Sequence, residues 1–233
     1  MRVWEKIYEA VSARIEEEDR AFELADIRFG EARRWLVEQV NPNPNWLILE
    51  IGYGQGYFTM ELAYALSSGK VVGIDVLREH STIAVTRWIA RQIRMERRMA
   101  LLVCDSIKLP FREGSFDAVV SFRALQDIKS TRGNKGVLAT IKEVCRVVKK
   151  NGIVAIADDS FPCCKPKEDQ GRLFNAIKRY WGNLLPSTKE ITAAMKKNEI
   201  SQLRVLSYDP RESLLPKDAE RELRLSVEWM KPF

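Results

Sequence analysis

The stretch WLILEIGYGQGYFTM, residues 46–60, joins a strand pattern to a helix pattern through a cluster of glycines. Residues 46–51 are a short apolar run bounded by turn residues, which is typical of a buried strand. The chain then passes through Gly52, Gly54 and Gly56 before an apolar helical pattern begins. A glycine loop between a strand and a helix lets a ligand approach bare backbone N–H groups closely. This stretch therefore predicts a binding site for something small and polar.

The spacing of the glycines indicates which ligand is expected. The dinucleotide fingerprint is G-x-G-x-x-G. Here the third glycine comes one residue early, at Gly56, and Tyr57 stands where the fingerprint has glycine, which argues against NAD. Asp75 ends the next apolar run, about twenty residues after the loop, where a carboxylate can accept both hydroxyls of a ribose. The pattern therefore predicts recognition of a nucleoside.

Four motifs, in order and at consistent spacing, carry a resemblance to a known family. They are EIGYGQG at 50–56, GID at 73–75, CDS at 104–106 followed by LPF at 109–111, and SFDAVV at 115–120. Together they resemble the class I S-adenosylmethionine-dependent methyltransferases, in the small-molecule branch that includes quinone-biosynthesis enzymes. The resemblance covers about residues 46–160. It implies an α/β, Rossmann-like, doubly wound sheet of seven mostly parallel strands, the last of them antiparallel, with an N-terminal helical cap.

The resemblance implies S-adenosyl-L-methionine as the cofactor and assigns a part of it to each motif. The glycine loop would hold the methionine portion, Asp75 the ribose, and Asp105 the adenine amino group. Val76 would pack on the ring, the Ser106 backbone would close the adenine edge, and Glu50 would support the backbone of the loop. A turn or cap is the other interpretation of Asp105. The expected cofactor-binding residues are Glu50, Gly52, Tyr53, Gly54, Gly56, Asp75, Val76, Asp105, Ser106 and Ser121.

The loop after the fourth predicted strand, residues 121–127, is where the resemblance places the groups that face the transferred methyl. It lacks the Asn/Asp-Pro-Pro-Tyr signature of nitrogen methylation and the Pro-Cys of a cysteine-adduct mechanism, and neither Gln126 nor Asp127 is a histidine. A general base, if the reaction needs one, must be another group, so no catalytic residue is assigned. Arg123, Asp127 and Asp158 are candidate contacts to the acceptor, although ordinary surface positions would also explain them.

We expect a single domain with three parts. These are a helical cap over 1–45, a cofactor-binding core over 46–160, and a substrate-side insertion with closing strands over 161–233. The apolar periodicity predicts helices over 3–20, 31–40, 57–66, 79–99, 137–150 and 188–198. It predicts strands over 46–51, 70–75, 100–104, 116–122, 202–208 and 221–229, with a further strand after Gly152.

A row of arginines lies in the helix predicted over 79–99. Arg87, Arg91, Arg94 and Arg98 follow one another at steps of four, three and four, so that they would share one face of a helix. Such a stripe could contact RNA or an acidic protein partner. No aromatic row interleaves with it, and a solvated outer helix face is the simpler interpretation.

Composition limits the class of protein. The 233 residues are 45% hydrophobic and 30% charged with a net charge of +6, which suits one globular α/β domain. No apolar run approaches the roughly 18 residues that cross a bilayer, and the N-terminal residues are charged, so we expect a cytoplasmic protein. Cys104, Cys145, Cys163 and Cys164 lack C-x-x-C spacing and there is one histidine, which predicts free thiols and no metal site.

The sequence therefore predicts methyl transfer by in-line displacement to a small-molecule acceptor. In such a reaction the cofactor carries the reactivity, and the protein orients the reactants and excludes water. Two other classes stay open: a methyltransferase acting on RNA or protein through the basic helix face, and a non-catalytic S-adenosylmethionine-binding protein. The oligomeric state is not predicted.

Overall fold

The short apolar runs of the sequence form strands, and the longer runs form helices. The computed structural model of the protein describes residues 6–7, 30–76, 80–158, 186–200 and 202–206. The strands are β1 (Leu47–Ile51), β2 (Lys70–Asp75), β3 (Met99–Val103), β4 (Phe116–Phe122) and β5 (Val148–Ala157). The helices are α1 (Gly30–Val40), α2 (Tyr57–Ala65), α3 (His80–Gln92), α4 (Leu125–Val147) and α5 (Thr188–Lys197), with a short 3-10 helix at Glu96–Arg98.

The five described strands form one parallel sheet in the order β3-β2-β1-β4-β5. Strand β1 lies in the centre, where Ile51 stands opposite Ile74 of β2 on one side and Ser121 of β4 on the other. The chain thus winds outward from β1 in one direction and then crosses to its other side. Open α/β sheets bind ligands at such a reversal, beyond the carboxyl ends of the strands.

Apolar side chains cover both faces of the sheet, as its nearly continuous apolar strands require. On one face, helices α1 and α2 contribute Leu36, Phe58 and Leu62, which pack against Ile48 of β1. The other face carries Leu49, Ile51, Ile74, Phe116, Val144 and Val147. Successive β1 residues therefore enter opposite core layers, which fixes the register of the strand beside the glycine loop.

Strands β1 to β4 and helices α1, α2 and α5 lie within one residue of their predicted bounds. The helix predicted over 79–99 is wrong at its end, because α3 stops at Gln92. Arg94 has a φ of 60°, a left-handed conformation that does not continue a right-handed helix. The Met95 N–H donates to the Ala90 carbonyl over 2.7 Å, and the chain then forms the separate 3-10 helix before β3.

Helix α4 is longer than predicted. It begins at Leu125 rather than near residue 137, and it passes through a break at Gly133, where φ is 62° and ψ is −169°. It also ends earlier, at Val147, because β5 begins at Val148; within that strand Asn151 has a φ of 70°, where the pairing with β4 shifts register between Phe116 and Ala118. The loop predicted over 121–127 is therefore short, and its last residues form the first turn of α4.

The described residues test the outer strands only in part. Residues 202–206 form no strand, which contradicts the start of the strand predicted over 202–208, and residues 221–229 lie outside the described ranges. The seven-strand count and the antiparallel last strand remain predictions. Of the helix predicted over 3–20, only Lys6 and Ile7 are described; both are helical, and Ile7 packs in a cluster with Tyr57. In the described ranges, no helix combines the length and apolar character that a membrane crossing needs.

Candidate functional site

The glycine loop after β1 is shaped by three left-handed residues. Gly52, Gly54 and Gly56 have φ values of 74°, 47° and 77°, which glycine adopts without a side-chain clash. A Cβ atom on Gly52 would lie 2.3 Å from the Ala124 Cβ, and one on Gly56 would lie 2.3 Å from the Thr86 Cγ2. A Cβ on Gly54 would meet no heavy atom within 4 Å. The outer glycines are therefore required by packing, whereas the side of Gly54 on which a Cβ would stand faces open space.

Asp75 is brought directly against this loop. Its Oδ2 accepts a hydrogen bond from the Gly54 N–H over 2.8 Å, although the two residues are 21 positions apart. The N–H groups of Gly52 and Tyr53 donate to the Ile74 carbonyl over 2.8 and 3.2 Å. The loop is thus folded over the carboxyl end of β2, and the two motifs expected to bind one nucleoside adjoin each other.

Glu50 is a buried carboxyl group with one hydroxyl partner. It is 1% exposed and accepts a hydrogen bond from the Thr59 Oγ1 of α2. Burial raises the pKa of Glu50 from 4.5 to about 8; the Thr59 hydrogen bond opposes this shift and the negative charge of Asp75 adds to it. The hydrogen bond given for this carboxyl group goes to the helix that follows the loop, and the expected support of the loop backbone by Glu50 stays a prediction.

A buried ion pair, which no sequence pattern indicated, joins α1 to α2. Arg33 Nη2 lies 3.0 Å from Glu61 Oε1, and both side chains are 4% exposed. Burial raises the pKa of Glu61, and the adjacent Arg33 opposes that shift. The Arg33 guanidinium also lies 5.6 Å from the ring centre of Tyr57, the first residue of α2. The pair therefore fixes the helix that begins at the glycine loop.

The predicted adenine residues lie at the carboxyl end of β3. Asp105 Oδ1 accepts from the Ile107 N–H over 3.2 Å, and its Oδ2 forms an ion pair with Arg132 Nη2. Ser106 is 7% exposed, and its Oγ lies 2.9 Å from the Thr140 Oγ1. Asp105 thus does close a turn, as the alternative interpretation held, and it does so at the position where the resemblance expects an adenine contact.

Two residues of α4, Glu143 and Arg146, bind the loop that follows β3. Glu143 Oε2 accepts from the Leu109 N–H over 2.8 Å. Arg146 donates to Glu143 over 2.8 and 2.6 Å and also to the carbonyls of Leu109 and Phe111 over 3.1 and 2.8 Å. The Arg146 hydrogen bonds lower the pKa of Glu143. These contacts were missed by sequence reasoning, because an i, i+3 pair on a helix does not reveal the distant loop that it binds.

Two of the three candidate acceptor residues, Arg123 and Asp127, lie at the start of α4. The Arg123 N–H donates to the Ala157 carbonyl over 2.8 Å, and the Arg123 φ is 57°. Asp158 Oδ2 accepts from the Leu125 N–H over 2.9 Å, which satisfies an amide of the first helical turn. Asp127 is exposed in that same turn. The structure therefore gives Asp158 a helix-capping contact and assigns none of the three to an acceptor.

Three polar side-chain atoms at this end of the sheet are buried without a hydrogen-bond partner. They are Tyr53 Oη in the glycine loop, Ser121 Oγ at the end of β4, and Gln126 Oε1 in the first turn of α4. Burial raises the pKa of Tyr53, and the charge of Asp75 adds to that shift. An unsatisfied buried polar group costs about 1–3 kcal/mol, and native proteins keep few of them. These atoms therefore mark a region that a polar ligand would complete.

The arginine row does not form one stripe. Only Arg87 and Arg91 belong to α3, while Arg94 occupies the left-handed turn that follows it. Arg98 lies in the 3-10 helix and donates to two backbone carbonyls at the end of α2. Arg91 pairs with Glu96 over 2.9 Å. The predicted basic helix face is therefore wrong, because the helix that would have carried it ends within the row.

The described cysteines are free thiols with weak acidity. Burial raises the pKa of Cys145 to about 11, and it also raises the pKa of Cys104. Neither is set up as a thiolate nucleophile at neutral pH. Cys163 and Cys164 lie outside the described residues. Within the part of the chain that is described, no three His, Cys, Asp or Glu side chains are grouped as metal ligands would be.

The fold is that of an α/β domain of the Rossmann-like class. The order in which the chain adds strands to the parallel sheet reverses beside β1. The glycine loop and Asp75 meet at that point. Residues 49–156 match a family model described as a methyltransferase domain. This match supports the assignment of residues 49–156 to the class I S-adenosylmethionine-dependent methyltransferases, the family that the motifs resemble.

Named relatives agree with this assignment. The chain is 31% identical over 139 residues to a demethylmenaquinone methyltransferase of Roseiflexus sp. (strain RS-1), covering 58% of this chain and 53% of the relative. It is 29% identical over 132 residues to the ubiquinone/menaquinone biosynthesis C-methyltransferase UbiE of Geotalea daltonii. That alignment covers 56% of this chain and 52% of the relative. The chain thus spans about half the length of these curated relatives.

A solved structure shares the fold. The phosphoethanolamine N-methyltransferase 2 of Haemonchus contortus, solved with S-adenosyl-L-methionine, superposes with a TM-score of 0.60 at 22% identity. The superposition covers 86% of this chain and 43% of that one. At this level of identity the likeness concerns the fold.

Proposed function

We propose that this protein is an S-adenosylmethionine-dependent methyltransferase that acts on a small-molecule acceptor of the quinol class. The observation that carries the proposal is the hydrogen bond between the Gly54 N–H and the Asp75 carboxylate. It forms where the strand order of the sheet reverses. The domain match over residues 49–156 and the names of the two relatives, which specify quinone methylation, support the reaction and the acceptor.

The residues present fit the proposed cofactor. The open space at Gly54 leaves room for a ligand against the backbone of the loop, and Tyr53 Oη and Ser121 Oγ are buried polar atoms that a ligand could satisfy. In this proposal the glycine loop holds the methionine portion and Asp75 holds the ribose hydroxyls. Asp105 and Ser106 hold the adenine edge, and Val76, which is 56% exposed, packs on the ring. The buried Glu50 supports the loop from the protein interior, where it accepts a hydrogen bond from Thr59 of α2.

The cofactor, when bound, supplies an electrophilic methyl group on a sulfonium sulfur. The protein then has to hold the acceptor atom in line with that methyl and to exclude water. Arg123, Asp127 and Asp158 are the acceptor contacts that we propose. A hydroquinone ring is electron-rich and can enter the site already ionised, its phenolic proton having passed to bulk solvent before the acceptor is enclosed. It therefore suits a first turn of α4 that has no histidine at either Gln126 or Asp127.

Calorimetric titration tests the cofactor. We expect micromolar binding of S-adenosylmethionine and S-adenosylhomocysteine and no binding of NAD. Asp75→Ala should weaken binding of the first two by more than about tenfold, because a buried ribose hydroxyl would lose a charged acceptor. The control is Glu38→Gln, which changes an exposed carboxylate on α1. Binding by Asp75→Ala that equals binding by the parent would show that Asp75 is not the ribose carboxylate.

Transfer of an isotope-labelled methyl group tests the acceptor. The probe is a reduced, demethylated prenyl naphthoquinone, and the control is its di-O-methyl ether, which has no phenolic hydroxyl. We expect label on a ring carbon of the probe and none on the ether. Cofactor binding without transfer to the probe would instead favour the second candidate, a non-catalytic S-adenosylmethionine-binding protein. That candidate is kept because residues 121–127 hold no evident base.

A methyltransferase acting on RNA or protein is less well supported. It depended on a continuous basic face, and Arg94 and Arg98 depart from the helix that would carry that face. Binding of bulk RNA that weakens steeply with salt would restore this alternative. A cytoplasmic location and the single-domain organisation remain predictions.

A further inference from the structure

Thr86 lies in the middle of α3, outside every motif that the sequence revealed. Its side chain is fully buried, and its Oγ1 donates a hydrogen bond to the Gln55 carbonyl over 2.9 Å. Gln55 stands between the second and third glycines of the loop. A residue of α3 therefore holds the backbone of the glycine loop from a position 31 residues away.

The methyl group of Thr86 makes a second contact with the same loop. It occupies the space that a Cβ on Gly56 would need, at 2.3 Å from that Cβ position. Gly56 has a φ of 77°, and its N–H donates to the Tyr53 carbonyl over 2.6 Å, so the loop turns tightly just before α2. Thr86 therefore combines a polar contact and a steric contact on adjacent residues, which few other side chains could do.

These contacts attach the glycine loop to the β2–α3 unit at neighbouring points. Asp75 at the end of β2 holds the Gly54 N–H, and Thr86 of α3 holds the Gln55 carbonyl. Fixing the carbonyl of one peptide also fixes the N–H on the same plane, because the peptide unit is rigid. The bond to Gln55 thus sets the direction of the Gly56 N–H and limits rotation of the open backbone at Gly54.

We propose that Thr86 is a positioning residue that keeps the glycine loop in the conformation that receives the aminocarboxypropyl part of S-adenosylmethionine. This inference rests on the proposed function, because the loop is there assigned to the methionine portion of the cofactor. Thr86 does not itself touch the ligand in this assignment. It acts through Gln55 and Gly56, so its loss should affect only the part of the cofactor that the loop binds.

Two ligands separate this role from general stability. S-adenosylhomocysteine carries the aminocarboxypropyl group, whereas 5′-methylthioadenosine has the same nucleoside and a neutral sulfur but lacks that group. Thr86→Val keeps the side-chain volume and removes the hydroxyl. We expect it to bind S-adenosylhomocysteine about tenfold more weakly than the parent, the size expected for one lost hydrogen bond. Its direct titration with 5′-methylthioadenosine should match that of the parent.

Matched variants complete the experiment. Thr86→Ser keeps the hydroxyl and should bind S-adenosylhomocysteine within about twofold of the parent, since the hydrogen bond is retained. Thr192→Val makes the same change on α5, where the hydroxyl bonds to the Lys189 carbonyl of its own helix over 3.1 Å, and should alter neither affinity. Equal weakening of both ligands by Thr86→Val, or no weakening, overturns the inference. A parent that binds neither ligand overturns the proposed function and the inference with it.

Discussion

At the scale of single residues, Glu50 makes stability depend on pH. Its pKa is raised from 4.5 to about 8 by burial, so the folded protein holds this proton more tightly than the unfolded chain does. The stability that the proton provides is complete below about pH 4.5 and is lost as pH rises toward 8. Asp75 and Glu61 raise the pKa further, and the Thr59 hydroxyl and Arg33 lower it. Each of these groups belongs to an element packed against β1.

Glu50→Gln should remove this pH dependence. The amide stays neutral. The free energy of unfolding of the variant should therefore increase relative to that of the parent as pH rises from about 5 to about 8. The largest possible slope is about 1.4 kcal/mol per pH unit for one proton. Urea denaturation across this range measures the difference between the two proteins, in which the titrating groups that do not interact with Glu50 cancel. Parallel curves would mean that Glu50 is ionised in the folded protein at neutral pH.

At the scale of elements, the Arg33–Glu61 pair connects α1 to α2. Arg33→Met should destabilise the protein by about 3 kcal/mol or more, because it leaves a buried carboxyl group without its cation. Adding Glu61→Met should recover much of that loss, since an apolar pair needs no desolvation of charge. Urea denaturation of the single and double variants measures both effects. The adjacent Arg34 pairs with Glu38 on the surface, with side chains 56% and 55% exposed.

That neighbouring pair is the matched control. Arg34→Met changes the same residue type on the same helix and should alter the free energy of unfolding by less than about 1 kcal/mol, as surface pairs do. If Arg33→Met cost no more than Arg34→Met, the buried pair would contribute nothing to the attachment of α1. If the double variant were as unstable as the single one, the loss would come from Arg33 packing on Tyr57 rather than from the charge.

The whole molecule shows which features can be inferred from local sequence. Strands β2 and β4 have their predicted bounds, because short apolar runs between turn residues leave few alternatives. The end of α3 could not be predicted, since it depends on a left-handed Arg94. The start of α4 could not be predicted either. Its first turn is capped by Asp158, which lies 33 residues away and joins it only when β5 pairs with β4.

The same limit applies to the candidate site. Gly54 and Asp75 were expected to share a ligand, and the structure brings them together. Thr86, Arg132 and Arg146 were missed, because each bonds to a loop that is distant in sequence and none belongs to a recognisable motif. Motifs therefore revealed the residues proposed to bind the ligand. The residues that hold those loops in place became visible only in the fold.

A ligand that spans the carboxyl ends of three strands should protect three separate segments at once. The glycine loop follows β1, Asp75 ends β2 and Asp105 follows β3, with the Cys104 N–H donating to the Asp75 carbonyl over 2.8 Å. Saturation with S-adenosylhomocysteine at about 100 times its dissociation constant should stabilise the folded state by about 2.7 kcal/mol. Amide hydrogen exchange should then slow at residues 52–56, 75–76 and 104–107 together.

Helix α5 provides the internal reference for that experiment. It packs on α4 through Ala194 and Met195 and bears no residue of the candidate site. Its amides should slow only as far as the global gain in stability requires, whereas those of the three segments should slow more, because the ligand would also suppress their local opening. Protection of the glycine loop alone would mean that Asp75 and Asp105 do not share its ligand. Uniform protection would place the ligand away from all three segments, which would contradict the assignment of this edge as the cofactor site.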